Sequence, residues 1–183
     1  MTAADASPIE LYFPRAGDLA DEKLAAFIAG PTDQLRVAIY SLNRPAIVEA
    51  ILAQHRAGVP VRVITDHVQS FGREQSAALA ELYAAGVPIK RNAHAGLMHM
   101  KMVVRQDMVS LGSFNYTNNA ETLNDEVLCF VVDEEGEHVQ RAAWVYDCMW
   151  NDQQRFVDWH PPTPGERAAM LAESPALLQM PEF

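Results

Sequence analysis

The chain has 183 residues, 49% of them hydrophobic and 21% charged, which allows one globular domain with a sizeable core. No stretch approaches the ~18 consecutive apolar residues of a membrane span, and the N-terminal residues lack the basic and apolar regions of a secretory signal. The net charge of -10 argues against tight non-specific binding to duplex DNA, and Cys129 and Cys148 are expected to be reduced thiols in a cytoplasmic protein.

The first half of the chain predicts strands that alternate with helices. Apolar periodicity and helix-ending Gly and Pro residues define four strands, over Ile9–Phe13, Gln34–Leu42, 61–65 and 89–92, and three helices, over Asp18–Ala29, Pro45–Ala57 and Glu74–Ala85. This order calls for right-handed crossovers between parallel strands. The predicted fold class is therefore α/β, with a mixed, mainly parallel β-sheet sandwiched between helices on both faces.

The second half predicts a hairpin and then a strand, a helix and a separate tail. The hairpin covers residues 99–112 and is followed by a polar segment, a strand over Glu126–Val132 and a helix over Glu134–Trp150. After Trp159 the chain becomes rich in proline. We therefore divide it into a catalytic domain over 1–159 and a Pro-containing C-terminal arm over 160–183. The arm has one short predicted helix near Pro164–Glu173, and we expect it to pack on its own chain or on a partner.

Positive charge is concentrated in one short stretch. Residues 86–116 carry four basic side chains and one acidic one, whereas residues 117–183 carry three basic and 13 acidic ones. A focused basic cleft in an otherwise acidic protein is suited to accept a phosphodiester.

Two pairs of polar residues in the hairpin region carry the candidate chemistry. His99 and Lys101 are separated by one residue, as are Ser113 and Asn115. Residues i and i+2 project from the same face of a strand, so pairing of the two strands brings the four side chains together. The apolar residues on the opposite face would then be buried in a core: Met100, Met102 and Val104. A nucleophile or proton carrier, a fixed cation and two neutral hydrogen-bonding groups suit phosphoryl chemistry.

HMK followed by GSFN resembles the HxK…GSxN signature of the phospholipase D superfamily, and most closely its small bacterial endonucleases with one motif per chain. The likeness extends over about residues 8–152 and includes VAIYSLNRPAIVEAIL, AGVPVRVITD and AETLNDE. It implies phosphodiester hydrolysis with no metal and no cofactor. His99 would be the nucleophile that forms a phosphohistidine. Lys101 and Asn115 would hold the non-bridging oxygens, and Ser113 would donate a hydrogen bond in the same cradle. Glu126 would orient a catalytic imidazole.

The same resemblance implies a homodimer. A second histidine must protonate the leaving oxygen and then activate water, and the chain has no second HxK motif. Two copies of His99 meeting at a two-fold axis would supply it. The function that follows is an endonuclease acting on DNA or RNA, with single strands preferred.

Two other functions remain open. The first is a phospholipase D that hydrolyses a phospholipid head group with the same residues, although no basic amphipathic segment predicts a stable membrane association. The second is a catalytically weak dimer that binds nucleic acid.

Several further residues near the motifs are candidates for substrate contact: Arg73, His94 and Arg105. A metal site at His67 and His94 is disfavoured, because no ligand set with recognisable spacing accompanies them. Phe114 can stack on a base or enter the core, and strand alternation favours the core.

The hairpin departs from the family pattern. It is one residue short, and Gln106 stands where the family has Asp. Either Asp107 takes that place in a tightened turn or the Asp is absent. The turn is not among the phosphate-binding residues, so we expect the change to affect stability or loop geometry more than activity.

Overall fold

The computed structural model describes residues 9–133 and 136–173 of the chain. Within them, eight strands are present: Ile9–Tyr12 (β1), Leu35–Ile39 (β2), Val61–Thr65 (β3), Ile89–Asn92 (β4), Lys101–Arg105 (β5), Met108–Gly112 (β6), Leu128–Val132 (β7) and Phe156–Asp158 (β8). The same residues form six α-helices: Ala20–Ala29 (α1), Pro45–Arg56 (α2), Arg73–Ala84 (α3), Asn118–Thr122 (α4), Glu137–Asn151 (α5) and Pro164–Glu173 (α6).

The eight strands form one sheet in the order β1-β7-β6-β5-β2-β3-β4-β8. Of the seven pairings that join them, β2–β3 and β3–β4 are parallel and the other five are antiparallel. The α/β class and the mixed sheet are confirmed, but the prediction of a mainly parallel sheet is wrong. The helices α2 and α3 cross over between the parallel strands β2, β3 and β4, whereas a two-residue turn joins β5 to β6 as antiparallel neighbours.

Helices cover both faces of the sheet, as predicted. On one face α1, α2 and α3 bury the larger core, which includes Val103 of β5. On the other face Val139 and Tyr146 of α5 pack against a second core that contains Met102 and Val104. The predicted burial of Met102 and Val104 on the face opposite Lys101 is confirmed.

Two short elements were not predicted. The α4 helix begins where the Thr117 side chain accepts a 3.3 Å hydrogen bond from the Ala120 N–H. The three-residue strand β8 is too short to show alternation, and its pairing with β4 depends on where α5 ends. The predicted start of the preceding helix at Glu134 lies outside the described residues, and α5 begins at Glu137.

The first part of the predicted C-terminal arm packs on its own chain. Arg167 of α6 donates hydrogen bonds of 2.8 Å to the Phe71 carbonyl and to Ser76 Oγ of α3. Residues 1–8 and 174–183 lie outside the described part, and the division at residue 159 remains a prediction. No helix in the described part has the length and apolar character needed to cross a membrane.

The shortened hairpin forms a two-residue turn. Arg105 pairs with Met108, which leaves Gln106 and Asp107 in the turn, and Gln106 has a positive φ of 28°. The Gln106 N–H donates a 3.2 Å hydrogen bond to Thr32 Oγ1. The turn joins β5 to β6 at the end of β5 that is farther from Lys101.

Candidate active site

The predicted cluster lies at one edge of the sheet. The carboxyl ends of β2, β3 and β4 meet there with the start of β5, because Ile39 pairs with both Thr65 and Lys101. His99 lies just before β5 at the same edge. Ligand sites of open α/β sheets form where strands end in this way.

The side chains of His99 and Lys101 are in direct contact. Lys101 Nζ lies 3.1 Å from His99 Nε2 and donates a 3.0 Å hydrogen bond to the His99 carbonyl. An ammonium group has no acceptor, so Nε2 must accept and the imidazole proton is on Nδ1. Partial burial, reinforced by the Lys101 charge, lowers the pKa of His99 below its usual value of 6.5. The ring is therefore neutral at pH 7, with its Nε2 lone pair facing a cation.

Tyr40 supports both members of this pair. Its ring centroid lies 4.5 Å from that of His99 and 4.8 Å from Lys101 Nζ, within the range of a cation–π contact. The Tyr40 N–H donates a 2.9 Å hydrogen bond to the carbonyl of Met100, between the two residues. Burial lowers the pKa of Lys101 from 10.5 to about 8, so the ammonium form still predominates at pH 7.

Asp66 positions the segment that leads into His99. It is buried, and its Oδ2 accepts a 3.0 Å hydrogen bond from the Met98 N–H. Its Oδ1 accepts from the N–H groups of Val68 and Gln69 at 2.9 and 3.0 Å. Asp66 thus ties the loop after β3 to the approach to β5, and its charge opposes the lowering of the His99 pKa.

Sequence reasoning missed the parts that Tyr40 and Asp66 have in this site. A usable signal was present, because each residue directly follows an apolar strand, and polar residues at the carboxyl ends of parallel strands face the same edge.

Ser113 lies beside the His99–Lys101 segment but outside a strand. The β5–β6 register places it across from Met100, one residue after β6 ends. A Cβ on Gly112 would lie 2.1 Å from the Val127 carbonyl oxygen, so only glycine permits this close approach. The approach lets Ser113 Oγ accept a 3.1 Å hydrogen bond from the Val127 N–H.

The Glu126 carboxylate is hydrogen-bonded to side chains of neighbouring segments. It accepts hydrogen bonds from Ser113 Oγ and, at 3.3 Å, from Asn124 Nδ2. No hydrogen bond joins Glu126 to His99 in the described part of the chain. Its charge acts in the opposite direction to burial and so opposes the lowering of the His99 pKa. The predicted contact with a catalytic imidazole is therefore not formed to His99 of the same chain.

Asn115 is held between two core residues. Phe114 and Tyr116 are fully buried, which confirms the predicted core position of Phe114. The Tyr116 N–H donates a 3.0 Å hydrogen bond to the Ser41 carbonyl, so residues 114–116 lie beside the segment that follows β2. Asn115 itself is 8% exposed, and its Oδ1 has no hydrogen-bond partner among the described residues. A buried amide with unused hydrogen-bonding capacity is costly unless a ligand or water completes it.

Within the described residues, no hydrogen bond links the three candidate substrate contacts to His99 or Lys101. His94 lies in the loop before β5, where its ring packs 5.6 Å from that of Phe156 and its Nδ1 accepts a hydrogen bond from Gly96. Arg73 is the exposed first residue of α3. Arg105 ends β5, roughly 13 Å along the strand from Lys101. Its guanidinium donates to the Pro31 carbonyl, so it is held away from the site edge.

A groove of about 570 Å³ opens beside Ser113 and Glu126. The remaining residues that line it come from the N-terminal segment and from the loop before β7: Phe13, Arg15, Ala16, Asp125 and Val127. Across residues 9–133 and 136–173, no three His, Cys, Asp or Glu side chains are grouped so that they could share a metal ion.

Comparison with known proteins identifies one family. Residues 24–150 match the family described as cardiolipin synthase, PLD-like domain. The chain is 32% identical over 110 residues to a mitochondrial cardiolipin hydrolase of Xenopus laevis, which covers 60% of this chain and 51% of that protein. The chain thus spans about half the length of that relative.

Solved structures show the same likeness. Nuc from Salmonella typhimurium, a phospholipase D family member, matches with a TM-score of 0.75 and 24% identity, covering 83% of this chain and 97% of that chain. NucT from Helicobacter pylori matches with a TM-score of 0.67 and 25% identity, covering 82% of this chain and 98% of that chain. These matches extend over nearly the whole of both solved chains.

Proposed function

The chain belongs to the phospholipase D superfamily, and from that premise we propose that it is a metal-independent phosphodiesterase that hydrolyses nucleic acid. The observation that carries the proposal is the 3.1 Å contact between His99 Nε2 and Lys101 Nζ. A neutral imidazole with its lone pair at a cation is arranged to meet an anionic phosphodiester. Asn115, buried at the same edge, adds an amide N–H group that can donate to a phosphate oxygen.

In the proposed first step, His99 Nε2 attacks the phosphorus. The new P–N bond forms as the P–O bond to the leaving group breaks, which gives a phosphohistidine. The arriving phosphate draws the Lys101 ammonium onto a non-bridging oxygen, and this frees the Nε2 lone pair. Asn115 donates to the same phosphoryl group as negative charge builds on it, and the Ser113 hydroxyl joins it by turning its proton from Glu126 to a phosphate oxygen.

Both steps require a second histidine, and we propose that it is His99 of another copy of the chain. This second imidazole gives its proton to the leaving oxygen and later takes one from the water that cleaves the P–N bond. The two histidines of such a homodimer have opposite protonation states at each step, so they titrate as a coupled pair.

An exposed apolar row lies on the face of the sheet opposite Lys101, because Leu111 pairs with Met102. The register aligns Leu11 of β1 with Cys129 and Cys129 with Leu111, next to the Gly112–Ser113 corner. Leu11 is 53% exposed and Leu111 is 42% exposed. We propose that a second copy covers part of this row, because exposed apolar surface favours self-association.

Single-stranded nucleic acid is the proposed preferred substrate. The preference rests on the narrow shared cleft expected where two copies meet. Rates on matched single- and double-stranded oligonucleotides test it, and faster cleavage of the duplex would contradict it.

The proposed activity is tested with end-labelled single-stranded DNA and RNA in excess EDTA. We expect the wild-type dimer, confirmed by light scattering, to cleave, and His99→Ala to lose at least about 10⁴-fold in rate, as expected for loss of a catalytic nucleophile. His138→Ala, at an exposed position near the start of α5, is the matched control and should retain activity. Cleavage that requires a divalent metal, or that persists in His99→Ala, would contradict the proposal.

A second candidate function is hydrolysis of a phospholipid head group by the same residues. Exposed Phe13, which lines the groove at 45% exposure, favours it, as does the cardiolipin hydrolase named among the relatives. Phospholipid vesicles in the same assay separate the two functions. Head-group release without oligonucleotide cleavage would replace the first proposal with the second.

A further inference from the structure

A second basic position lies on the same face and edge of the sheet as the His99–Lys101 pair. Arg91 of β4 pairs with Thr65, Thr65 with Ile39, and Ile39 with Lys101. Residues paired in register point to the same face, so Arg91 and Lys101 lie in one row, three strands apart. At about 4.8 Å per strand, their backbones are roughly 14 Å apart.

The guanidinium of Arg91 is held in place by a histidine. Arg91 Nη1 lies 2.7 Å from His67 Nδ1. Among the described residues, His67 is the hydrogen-bond partner of the guanidinium. A guanidinium can only donate, so His67 accepts as a neutral ring. Burial, reinforced by the charge of Arg91, lowers the pKa of His67 and keeps the ring neutral. His67 follows Asp66, which positions the approach to His99.

Two other half-buried arginines of the sheet share one carboxylate partner. Arg36 and Arg62 both pair with Asp147 of α5, at 2.8 and 2.7 Å. Arg91 has no carboxylate within 4.0 Å among residues 9–133 and 136–173. The exposed Glu166 of α6 acts on it only through longer-range charge. A partly desolvated cation without a counter-ion, at the open edge of a site, is suited to an anion from outside the chain.

Resting on the proposed nucleic-acid substrate, we propose that Arg91, oriented by His67, binds a phosphate of the strand other than the one cleaved at His99. The backbones of Arg91 and Lys101 are roughly 14 Å apart, and their charged ends contact different histidines, so we assign them to different phosphates of one strand. Arg91 is then a determinant of specificity for polymeric substrates. A substrate with a single phosphodiester would gain nothing from it.

The test compares two substrates and two variants. A single-stranded oligonucleotide has neighbouring phosphates, whereas bis(p-nitrophenyl) phosphate has one phosphodiester. Arg91→Gln should lower the ratio of kcat/KM on the oligonucleotide to kcat/KM on the single phosphodiester roughly tenfold, through KM, since a charged hydrogen bond is lost. The slope of log KM against log salt should fall by about 0.7, the value for one contact to a single strand. Arg141→Gln removes the same charge from an exposed position on α5 and should leave both substrates unaffected.

Direct binding separates this proposal from the proposed hydrolysis. Anisotropy of a labelled oligonucleotide is measured with His99→Ala and with His99→Ala/Arg91→Gln, and the dissociation constant should rise roughly tenfold in the double variant. Arg91-dependent binding without wild-type cleavage would support the phosphate site while the proposed hydrolysis fails. Cleavage and binding that are both indifferent to Arg91 would overturn the site and leave the hydrolysis standing.

Two further outcomes would also overturn the site. The first is an equal fall on both substrates, which would place Arg91 in the chemistry or in the folded framework. The second is Arg91-dependent binding of phospholipid vesicles but not of oligonucleotides. If Arg91→Gln unfolds at a lower temperature than wild type, Arg91→Lys decides, because it keeps the charge and should restore most of the salt dependence if the site is real.

Discussion

The two ends of β5 each carry a cation on the same face of the sheet, and they differ in what surrounds it. Burial lowers the pKa of both Lys101 and Arg105. Lys101 faces His99 and the Tyr40 ring at the open edge. Arg105 donates to the Pro31 carbonyl and lies over the Phe27 ring. Burial of a charge therefore does not identify a functional group; an adjacent nucleophile and access for a ligand do.

The connections at the two ends differ in the same way. At the Lys101 end, Gly112 permits close backbone approach, which brings Ser113 to Glu126. At the Arg105 end, the shortened turn places Gln106 at a positive φ and ties it to Thr32. The departure from the family pattern thus lies at the Arg105 end of β5, away from the proposed catalytic residues. The following predictions test this division, from the largest expected effect to the smallest.

Lys101→Met should lower kcat/KM about 100- to 1,000-fold, because it removes a preorganised cation from the proposed transition state. The free energy of unfolding should change little, since relief of a buried charge offsets the lost hydrogen bond to the His99 carbonyl. Steady-state rates and urea denaturation of the same preparation measure both effects. A variant with rates near wild type would place the chemistry elsewhere.

The pH profile should report the same group. Burial lowers the pKa of Lys101 to about 8, so its charge is present below that pH and lost above it. We therefore expect kcat/KM to fall as the pH rises through about 8. On the acid side, protonation of His99 removes the nucleophile, and its lowered pKa moves that loss below the usual histidine range.

Lys101→Arg tests whether the loss of activity at high pH comes from Lys101 or from the protonated His99 of the second copy. Arginine stays charged, so the limb should move to higher pH even if the rate is lower. An unmoved limb would assign it instead to the protonated His99 of the second copy.

Arg105→Met should give the reverse of the Lys101 result. It loses the hydrogen bond to Pro31 and the charge over Phe27, so we expect the free energy of unfolding to fall by about 1 to 2 kcal/mol. The kcat/KM should stay close to wild type. Urea unfolding and the oligonucleotide assay measure the two effects, and a large loss of activity in a stable variant would return Arg105 to the site.

Gln106→Gly should raise the free energy of unfolding by up to about 1 kcal/mol, because glycine accepts a positive φ without steric cost. Activity should not change, since the turn lies at the far end of the strand. A thermal unfolding midpoint below that of wild type would show that the Gln106 side chain contributes to the turn more than its backbone costs.

Sequence reasoning was strongest where the chemistry is local. His99 and Lys101 are in contact as their spacing predicts, and Phe114 enters the core as alternation predicts. It was weakest where partners are distant in the chain. The antiparallel pairing of β5 with β2 and the supporting parts of Tyr40 and Asp66 each join segments about 30 or more residues apart.

The sequence by itself determined the motif, the α/β class and the two faces of β5, because residue spacing and strand periodicity are local properties of the chain. Only the tertiary structure decided which strands pair and which cations of the described residues have a carboxylate partner. It placed Arg91 in one row with Lys101. It placed Arg105 at the far end of β5, where the guanidinium donates to the Pro31 carbonyl. The physical reason is that the environment of a charge depends on non-local packing, and neither pairing register nor burial is encoded in the spacing of a short segment.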